Sequence, residues 1–266
     1  MKNHRGSERA KLLLKEIGFD DITDLPMKII VAGLGATLIE EPINDSDGKI
    51  VRGKTKTLIK VNSLIPYEGR KRFTIAHEIG HLLMHDKLDV HDDNANTLNW
   101  FNNTEKQLQK GYQEWEANDF ASELLMPKDL FMKEVKGKRF SPMLLKQIAQ
   151  RFNTTITATV FRYLQLDLSP LFISFISNGV VKYWRISSDF WVKVKDINKL
   201  APPSDSVASE YIEANYEFIY KGDNITQIIG KSTWFELKEG ENDSDYYEYC
   251  IPTKQYKSLV SIVWKD

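Results

Sequence analysis

Two histidines and a glutamate near the middle of the chain have the types and spacing of a metal-dependent hydrolase. His77, Glu78 and His81 form an H-E-x-x-H motif within the stretch F-T-I-A-H-E-I-G-H-L-L-M-H, residues 73–85. Residues four apart on a helix lie one turn above each other, so the two histidines could offer imidazole nitrogens to one ion. Catalytic zinc sites use three protein ligands and keep one position for water. Glu78 lies about 100° around the helix from His77, which suits a base that activates this water.

The neighbouring residues predict that the motif is helical. Apolar residues at helical spacing form one face, and the histidines form another. His85 continues the histidine face but lies two turns from His77, too far to bind the same ion. It either supports a ligand, orients substrate or lies on the surface. The alternative interpretation of the whole stretch is a core helix whose histidines only form hydrogen bonds.

A catalytic zinc site needs a third ligand, and Glu114 is the best candidate. It is followed by small and apolar residues at helical spacing, in E-W-E-A-N-D-F-A-S-E-L-L-M-P. Asn118 lies one turn further on and could accept a hydrogen bond from a ligand histidine's other nitrogen. Glu116 is the alternative ligand. Because it lies about 200° around the helix from Glu114, both cannot face one ion, and its other interpretation is a solvated charge.

Two tyrosines, Tyr67 and Tyr112, are candidate donors to the oxyanion that forms when a peptide bond is attacked. Both could equally be structural, as most tyrosines are.

Three stretches carry a resemblance to a known family. They are R-F-T-I-A-H-E-I-G-H-L-L-M-H, E-x-x-A-N-x-F-A-x-x-L-L-M-P at residues 114–127, and the later I-A-Q-R-F-N-T-T-I-T-A-T-V-F-R-Y-L-Q-L. In this order they resemble the ImmA/IrrE zinc metallopeptidases, over roughly residues 58–166. The resemblance implies a zincin-like fold with one zinc ion per chain, bound by His77, His81 and Glu114, and Glu78 as the base. Related thermolysin-like enzymes carry an aspartate where this chain has Asn118.

The resemblance also implies a function. Proteins of this family cleave a helix-turn-helix repressor and so relieve repression after stress or in mobile elements. We therefore expect a zinc-dependent endopeptidase with a protein substrate. The alternative hypothesis is a non-proteolytic regulatory module that only binds a repressor or antitoxin partner. Cleavage that depends on Glu78 would separate the two.

Composition bounds the class of protein. The chain has 266 residues, 42% of them hydrophobic and 27% charged, as in ordinary soluble domains. Its formal net charge of −1 gives no overall field that favours nucleic acid or an anionic membrane. Cys250 is the only cysteine, which excludes an intrachain disulfide and fits a reducing compartment. With no signal-peptide core and no membrane-length apolar run, the sequence predicts a cytoplasmic protein and no membrane partner.

The predicted fold class is α+β, in two domains. Residues 1–170 would form the zincin-like metallopeptidase domain, including a helical segment at 128–168. Composition becomes β-rich after Pro170, and Asn178-Gly179 predicts a hairpin between two strands. Residues 171–266 would therefore form a smaller β-rich C-terminal domain that serves as a sensor or binds substrate.

The remaining elements follow from periodicity. Helices are expected at 7–17, 105–125, 141–152 and 156–164, and residues 25–39 are ambiguous between strand and helix. A strand at Thr57–Leu64 could offer a free edge to an extended peptide. The last two helices suggest a helix-turn-helix, but the second carries one basic residue, Arg162. Direct DNA binding is therefore not expected, and core packing is the favoured role.

Overall fold

The computed structural model describes residues 5–44, 46–86 and 110–265. These form two compact units. The first holds the described residues up to Arg139 together with Leu144–Thr159, and the second holds Phe140–Met143 and the residues from Val160 onward. Helices and sheets occur together in the chain, which confirms the α+β class. A functional boundary after residue 170 stays a prediction.

The first unit contains a small sheet and most of the helices. The elements are α1 (Arg5–Ile17), α2 (Met27–Gly33), β1 (Ala36–Glu41), β2 (Gly48–Arg52), β3 (Thr57–Asn62), α3 (Glu68–Met84), α4 (Lys110–Leu125), α5 (Lys128–Val135), α6 (Pro142–Arg151) and the start of α7 (Ile156–Gln165). The helices predicted at 7–17, 141–152 and 156–164 are confirmed to within a few residues. The predicted start of α4 near residue 105 lies outside the described residues.

The sheet of the first unit has the order β1-β3-β2, with β1 parallel and β2 antiparallel to β3. Ile59 and Val61 of β3 are fully buried, as expected for a central strand. The prediction that this strand offers a free edge is therefore wrong. It is paired on both sides because the ambiguous stretch supplies β1. Pro26 precedes α2, and Gly35, with φ +74°, turns the chain from α2 into β1.

Helix α1 lies directly against α4. A Cβ atom on Gly6 would sit 2.3 Å from the Glu116 carbonyl oxygen and 2.7 Å from the Phe120 nitrogen, so only glycine fits there. Ser7 donates its backbone N–H and its hydroxyl to the two carboxylate oxygens of Asp119, both at 2.7 Å. These contacts fix the first turn of α1 to the middle of α4.

The second unit is built on a five-stranded antiparallel sheet in the order β5-β4-β8-β7-β6. Its elements after α7 are β4 (Phe172–Ser177), β5 (Val180–Ile186), α8 (Val207–Glu213), β6 (Thr226–Gly230), α9 (Lys231–Trp234), β7 (Asp245–Thr253) and β8 (Ser258–Trp264). The predicted hairpin joins β4 to β5. Asn178 and Gly179 both have positive φ, 51° and 74°, as a tight hairpin turn requires.

A buried carboxylate links α8 to this sheet. Glu248 is fully buried and accepts hydrogen bonds from the N–H groups of Val207 and Ala208 at 2.9 and 3.2 Å. The Ser261 hydroxyl donates to it at 2.6 Å. Burial raises the pKa of the Glu248 carboxyl. The first N–H groups of α8, which have no partner within the helix, are thus satisfied from β7.

None of the described helices is long and apolar enough to cross a membrane.

The contact between α1 and α4 generates a stability prediction. Gly6→Ala should lower the free energy of unfolding by roughly 1–3 kcal/mol, because the new methyl group overlaps the backbone of α4. Gly33→Ala is the matched control, since a Cβ there meets no atom within 4 Å. It should leave stability unchanged or slightly raised. Urea denaturation would measure both, and equal midpoints for the two variants would contradict the close packing of α1 on α4.

Candidate metal centre

Helix α3 carries the H-E-x-x-H motif and lies against β2 and β3. His77 is 3% exposed, and Glu78 and His81 are fully buried. A Cβ on Gly48, at the start of β2, would meet the Thr74 methyl at 2.5 Å and Glu78 Cγ at 3.5 Å. The strand backbone therefore comes very close to the side of α3 that carries Glu78.

A glycine allows α4 to approach α3. A Cβ on Gly80 would lie 3.1 Å from Ala117 Cα and 3.2 Å from Phe120 Cδ1. Glycine in a helix costs about 1 kcal/mol relative to alanine. Its place here follows from this close contact, which brings the side chains on one face of α4 to the two histidines.

Three side chains meet where the helices converge. The Nε2 atoms of His77 and His81 are 2.9 Å apart, and the Glu114 carboxylate lies 3.1 Å from the first and 3.4 Å from the second. One donor atom from each residue lies within 4.8 Å of the others. Ligands 2.0–2.1 Å from a tetrahedral zinc ion would be separated by roughly 3.3 Å. The cluster therefore fits an ion of this size, and Glu114, with a side chain 33% exposed, opens it to solvent.

Asn118 fixes the orientation of one histidine. Its Oδ1 lies 2.9 Å from His77 Nδ1. A carbonyl oxygen can only accept, so Nδ1 of His77 carries the proton and donates it. The Nε2 lone pair then points toward Glu114, as a metal ligand requires.

His85 is the first residue after α3, and its ring turns back onto His81. It is 5% exposed, which excludes the surface position considered from the sequence. Its Nδ1 lies 2.9 Å from His81 Nδ1, and its Nε2 lies 2.9 Å from Glu116 Oε2. Burial lowers the pKa of His85, against the opposing effect of the Glu116 carboxylate. His85 contacts a candidate ligand and lies outside the three-residue cluster itself.

Glu116 takes neither role that the sequence suggested. It is 1% exposed, so it is not a solvated charge, and it does not join the three-residue cluster. It bonds His85 instead, and the Arg5 guanidinium lies 3.3 Å from the same carboxylate oxygen. Nothing in the pattern around Arg5 marks it, because its role depends on the packing of α1 on α4.

The two tyrosines proposed as oxyanion donors are both exposed. Tyr67 is 69% exposed and precedes α3, ten residues before His77 and so roughly 15 Å away along the helix. Tyr112 is 41% exposed and stacks on Trp115, with ring centroids 6.4 Å apart. Their role as oxyanion donors stays a prediction.

A second arginine that sequence reasoning missed fixes the end of α3. Arg52, the last residue of β2, donates to the carbonyl oxygen of His81 at 3.0 Å and to that of Asp86 at 2.7 Å. The His81 carbonyl also accepts the backbone N–H of His85 at 3.1 Å, and a cation at a helix C-terminus suits the helix dipole. Strand β2 thus contacts α3 at both of its own ends, through Gly48 beside Glu78 and through Arg52 at the His81 carbonyl.

A mixed three-stranded sheet, with two helices that bring two histidines and a glutamate together, defines a zincin-like metallopeptidase fold. The sequence model of Peptidase_M78, described as the IrrE N-terminal-like domain, matches residues 31–163, half of the chain. The chain belongs to this family, which confirms the predicted resemblance and indicates a metal-dependent peptidase.

A solved structure of similar fold extends beyond the family match. A Mycobacterium tuberculosis transcriptional regulator shares 13% sequence identity, over 98% of this chain and 87% of that one, with a TM-score of 0.62. At this identity the likeness concerns the fold alone. Among curated proteins, none matches the chain.

The geometry predicts that Glu114 is needed for metal binding. Glu114→Gln should weaken zinc affinity because it replaces a charged metal ligand with a neutral one. Loss of a residue that only hydrogen-bonds a ligand typically costs 10–100-fold in affinity, so the loss here should be at least that large. Glu68→Gln makes the same charge change at the exposed first turn of α3 and should leave affinity unchanged. Zinc titration against a competing chelator would measure both. Full affinity in Glu114→Gln would show that another residue is the third ligand.

Proposed function

We propose that this protein is a zinc-dependent endopeptidase that cleaves a protein substrate. His77, His81 and Glu114 would hold one zinc ion per chain, and Glu78 would be the catalytic base. The observation that carries the proposal is the spacing of the three donor atoms, 2.9–3.4 Å, on helices that a metallopeptidase family shares. Two imidazole nitrogens and one carboxylate are a ligand set that suits zinc.

The side chains divide the chemistry between them. Bound zinc would supply Lewis acidity, lowering the pKa of a water molecule to about 7 and polarising a peptide carbonyl. Glu78 would accept the proton that this water loses as it attacks the carbonyl carbon. The protonated carboxyl would then deliver it to the leaving amine nitrogen. Glu78 is fully buried, and the backbone of Gly48 packs beside its Cγ.

The edge of β2 supports an extended peptide as substrate. In the described chain β2 is an edge strand, antiparallel to β3. It runs beside α3, from Gly48 near Glu78 to Arg52 at the His81 carbonyl. A peptide that adds to such an edge bonds through its main chain. Its scissile bond would then lie along the helix that carries the cluster.

The substrate class comes from the family resemblance. We propose a helix-turn-helix repressor, cleaved to relieve repression under stress or in a mobile element, and a location in the cytoplasm where such a repressor acts. The similar fold of a transcriptional regulator is compatible with this role. Direct DNA binding through α6 and α7 is not part of the proposal, since Arg162, the one basic residue of α7, is 1% exposed.

The same neighbour favours a second candidate. A protein with this fold named as a transcriptional regulator could act by binding alone. In that case the chain would hold a repressor or antitoxin partner without cutting it, and the proposed C-terminal domain at 171–266 would serve as a sensor or a binding platform.

A single-turnover assay on a candidate helix-turn-helix repressor tests both candidates. Glu78→Gln keeps the size of the side chain and removes its basicity, so zinc binding and fold should survive. Cleavage should slow by ~10²–10⁴-fold, the usual loss when a general base is removed. Mass spectrometry of the products would give the rate and the cleavage site.

The control and the contrary outcomes are distinct. Glu68→Gln, an equal charge change on the same helix, should cut at the parent rate. If Glu78→Gln also cuts at that rate, Glu78 is not the base. If neither the parent nor Glu78→Gln cuts the repressor but both relieve repression, the binding module is the correct function.

A further inference from the structure

We infer that Arg5, Glu116 and His85 form a hydrogen-bonded chain that sets the tautomer of His81, so that the first turn of α1 supports the metal centre. The inference rests on the proposed metal binding by His81. It adds positioning residues from outside the H-E-x-x-H helix, one of them outside the family match at 31–163.

The first link is ionic. Arg5 Nη1 lies 3.3 Å from Glu116 Oε2, and Arg5 Nη2 donates to the Met84 carbonyl oxygen at 3.0 Å. One guanidinium thus joins α1 to α4 and to the last residue of α3. Glu116 is 1% exposed, and Arg5 and His85 both contact its Oε2, the kind of compensation that a buried carboxylate needs.

The second link gives the chain a direction. His85 Nε2 lies 2.9 Å from the oxygen that Arg5 contacts. An ionised carboxylate can only accept, so His85 Nε2 carries the proton and donates it. A neutral imidazole has one proton, and therefore His85 Nδ1 is an acceptor.

The third link reaches the metal ligand. His85 Nδ1 lies 2.9 Å from His81 Nδ1. Because His85 Nδ1 accepts, His81 Nδ1 must donate, and the proton of His81 is on Nδ1. Its Nε2 then presents a lone pair toward His77 Nε2 and Glu114, which lie 2.9 and 3.4 Å away.

The two ligand histidines are therefore oriented by different means. His77 donates to the neutral amide of Asn118 at 2.9 Å. His81 donates to an imidazole that itself bonds a carboxylate. Such partners fix a ligand's orientation and raise its basicity, and their loss typically weakens metal binding 10–100-fold.

The position of Arg5 depends on the packing of α1. Gly6 and Ser7 hold the first turn of the helix on α4, through close contact and through Asp119. The contact of Arg5 with Glu116, and through it the position of the Glu116 carboxylate beside His85, is thus maintained from the N-terminal helix.

The primary test reads the tautomers of the metal-free protein. The chain has five histidines, so long-range ¹H–¹⁵N correlation of the full-length protein can assign each ring nitrogen. At about pH 8, above the usual histidine pKa, His81 should be protonated on Nδ1 and His85 on Nε2. A proton on His81 Nε2 in the parent protein would overturn the inference.

Variants then test the coupling to metal. His85→Phe removes the acceptor and should weaken zinc affinity by about 10–100-fold and mix the tautomers of His81. Glu116→Gln can still accept from His85 through its amide oxygen, so it should keep the His81 tautomer with a smaller loss of affinity. Met84→Leu, a volume-conserving change next to His85, should alter neither.

Arg5→Met is a second test that does not depend on whether His85→Phe folds. The Arg5 side chain is 54% exposed, so its replacement should not unfold the protein. It should weaken zinc affinity by up to about 10-fold without unfolding the protein. Two outcomes would overturn the inference. One is parent-like zinc affinity in both Arg5→Met and Glu116→Gln. The other is a folded His85→Phe variant in which the His81 tautomer and the zinc affinity are unchanged. A parent protein that binds no zinc would instead refute the proposed function, while the tautomers would still decide the hydrogen-bonded chain.

Discussion

The site depends on the contact between α3 and α4 at Gly80 and Ala117. Ala117 lies between Glu114 and Asn118 on α4, so the same approach brings a third donor to both histidines and an acceptor to His77. A side chain at Gly80 would keep α4 away and separate the donors. Glycine lowers helix stability by roughly 1 kcal/mol, and burial of Ala117 and its neighbours in this interface offsets that loss. Helix α3 is thus less stable at Gly80, the position where α4 must approach it to bring Glu114 to the two histidines.

How far the sequence predicts the site depends on how local each contact is. His77, Glu78 and His81 lie within five residues of one helix, so their spacing alone determines their mutual geometry. Glu114 follows from periodicity, although only the structure shows where α4 lies. The spacing of His81 and His85 allows the first of the supporting contacts, whereas the links onward to Glu116 and Arg5 could not be predicted, because they join helices that are distant in sequence. The solvated charge expected for Glu116 fails for the same reason.

The fold follows the same rule. The hairpin at Asn178-Gly179 is predictable because turn chemistry is local. The order of the small sheet is not, since β1 arises from a stretch in which helix and strand were equally compatible with the pattern. Helix α8 lies in a region that reads as β-rich, and its first N–H groups are satisfied by Glu248, some forty residues later. Helix α5 starts right after Pro127, within the helical segment predicted at 128–168, although periodicity gave it no bounds of its own.

Two helices supply the cluster of donor atoms, and α1 packs on the second of them, which couples metal supply to the amount of folded protein. An ion that binds only the native state adds its binding free energy to the packing of α1, α3 and α4. The gain is RT ln(1 + [M]/Kd), about 4 kcal/mol at a thousand-fold excess over Kd. Much of the stability of an ordinary domain is of that size. Metal starvation would then raise the unfolded fraction that proteases degrade, so cellular abundance would follow metal availability.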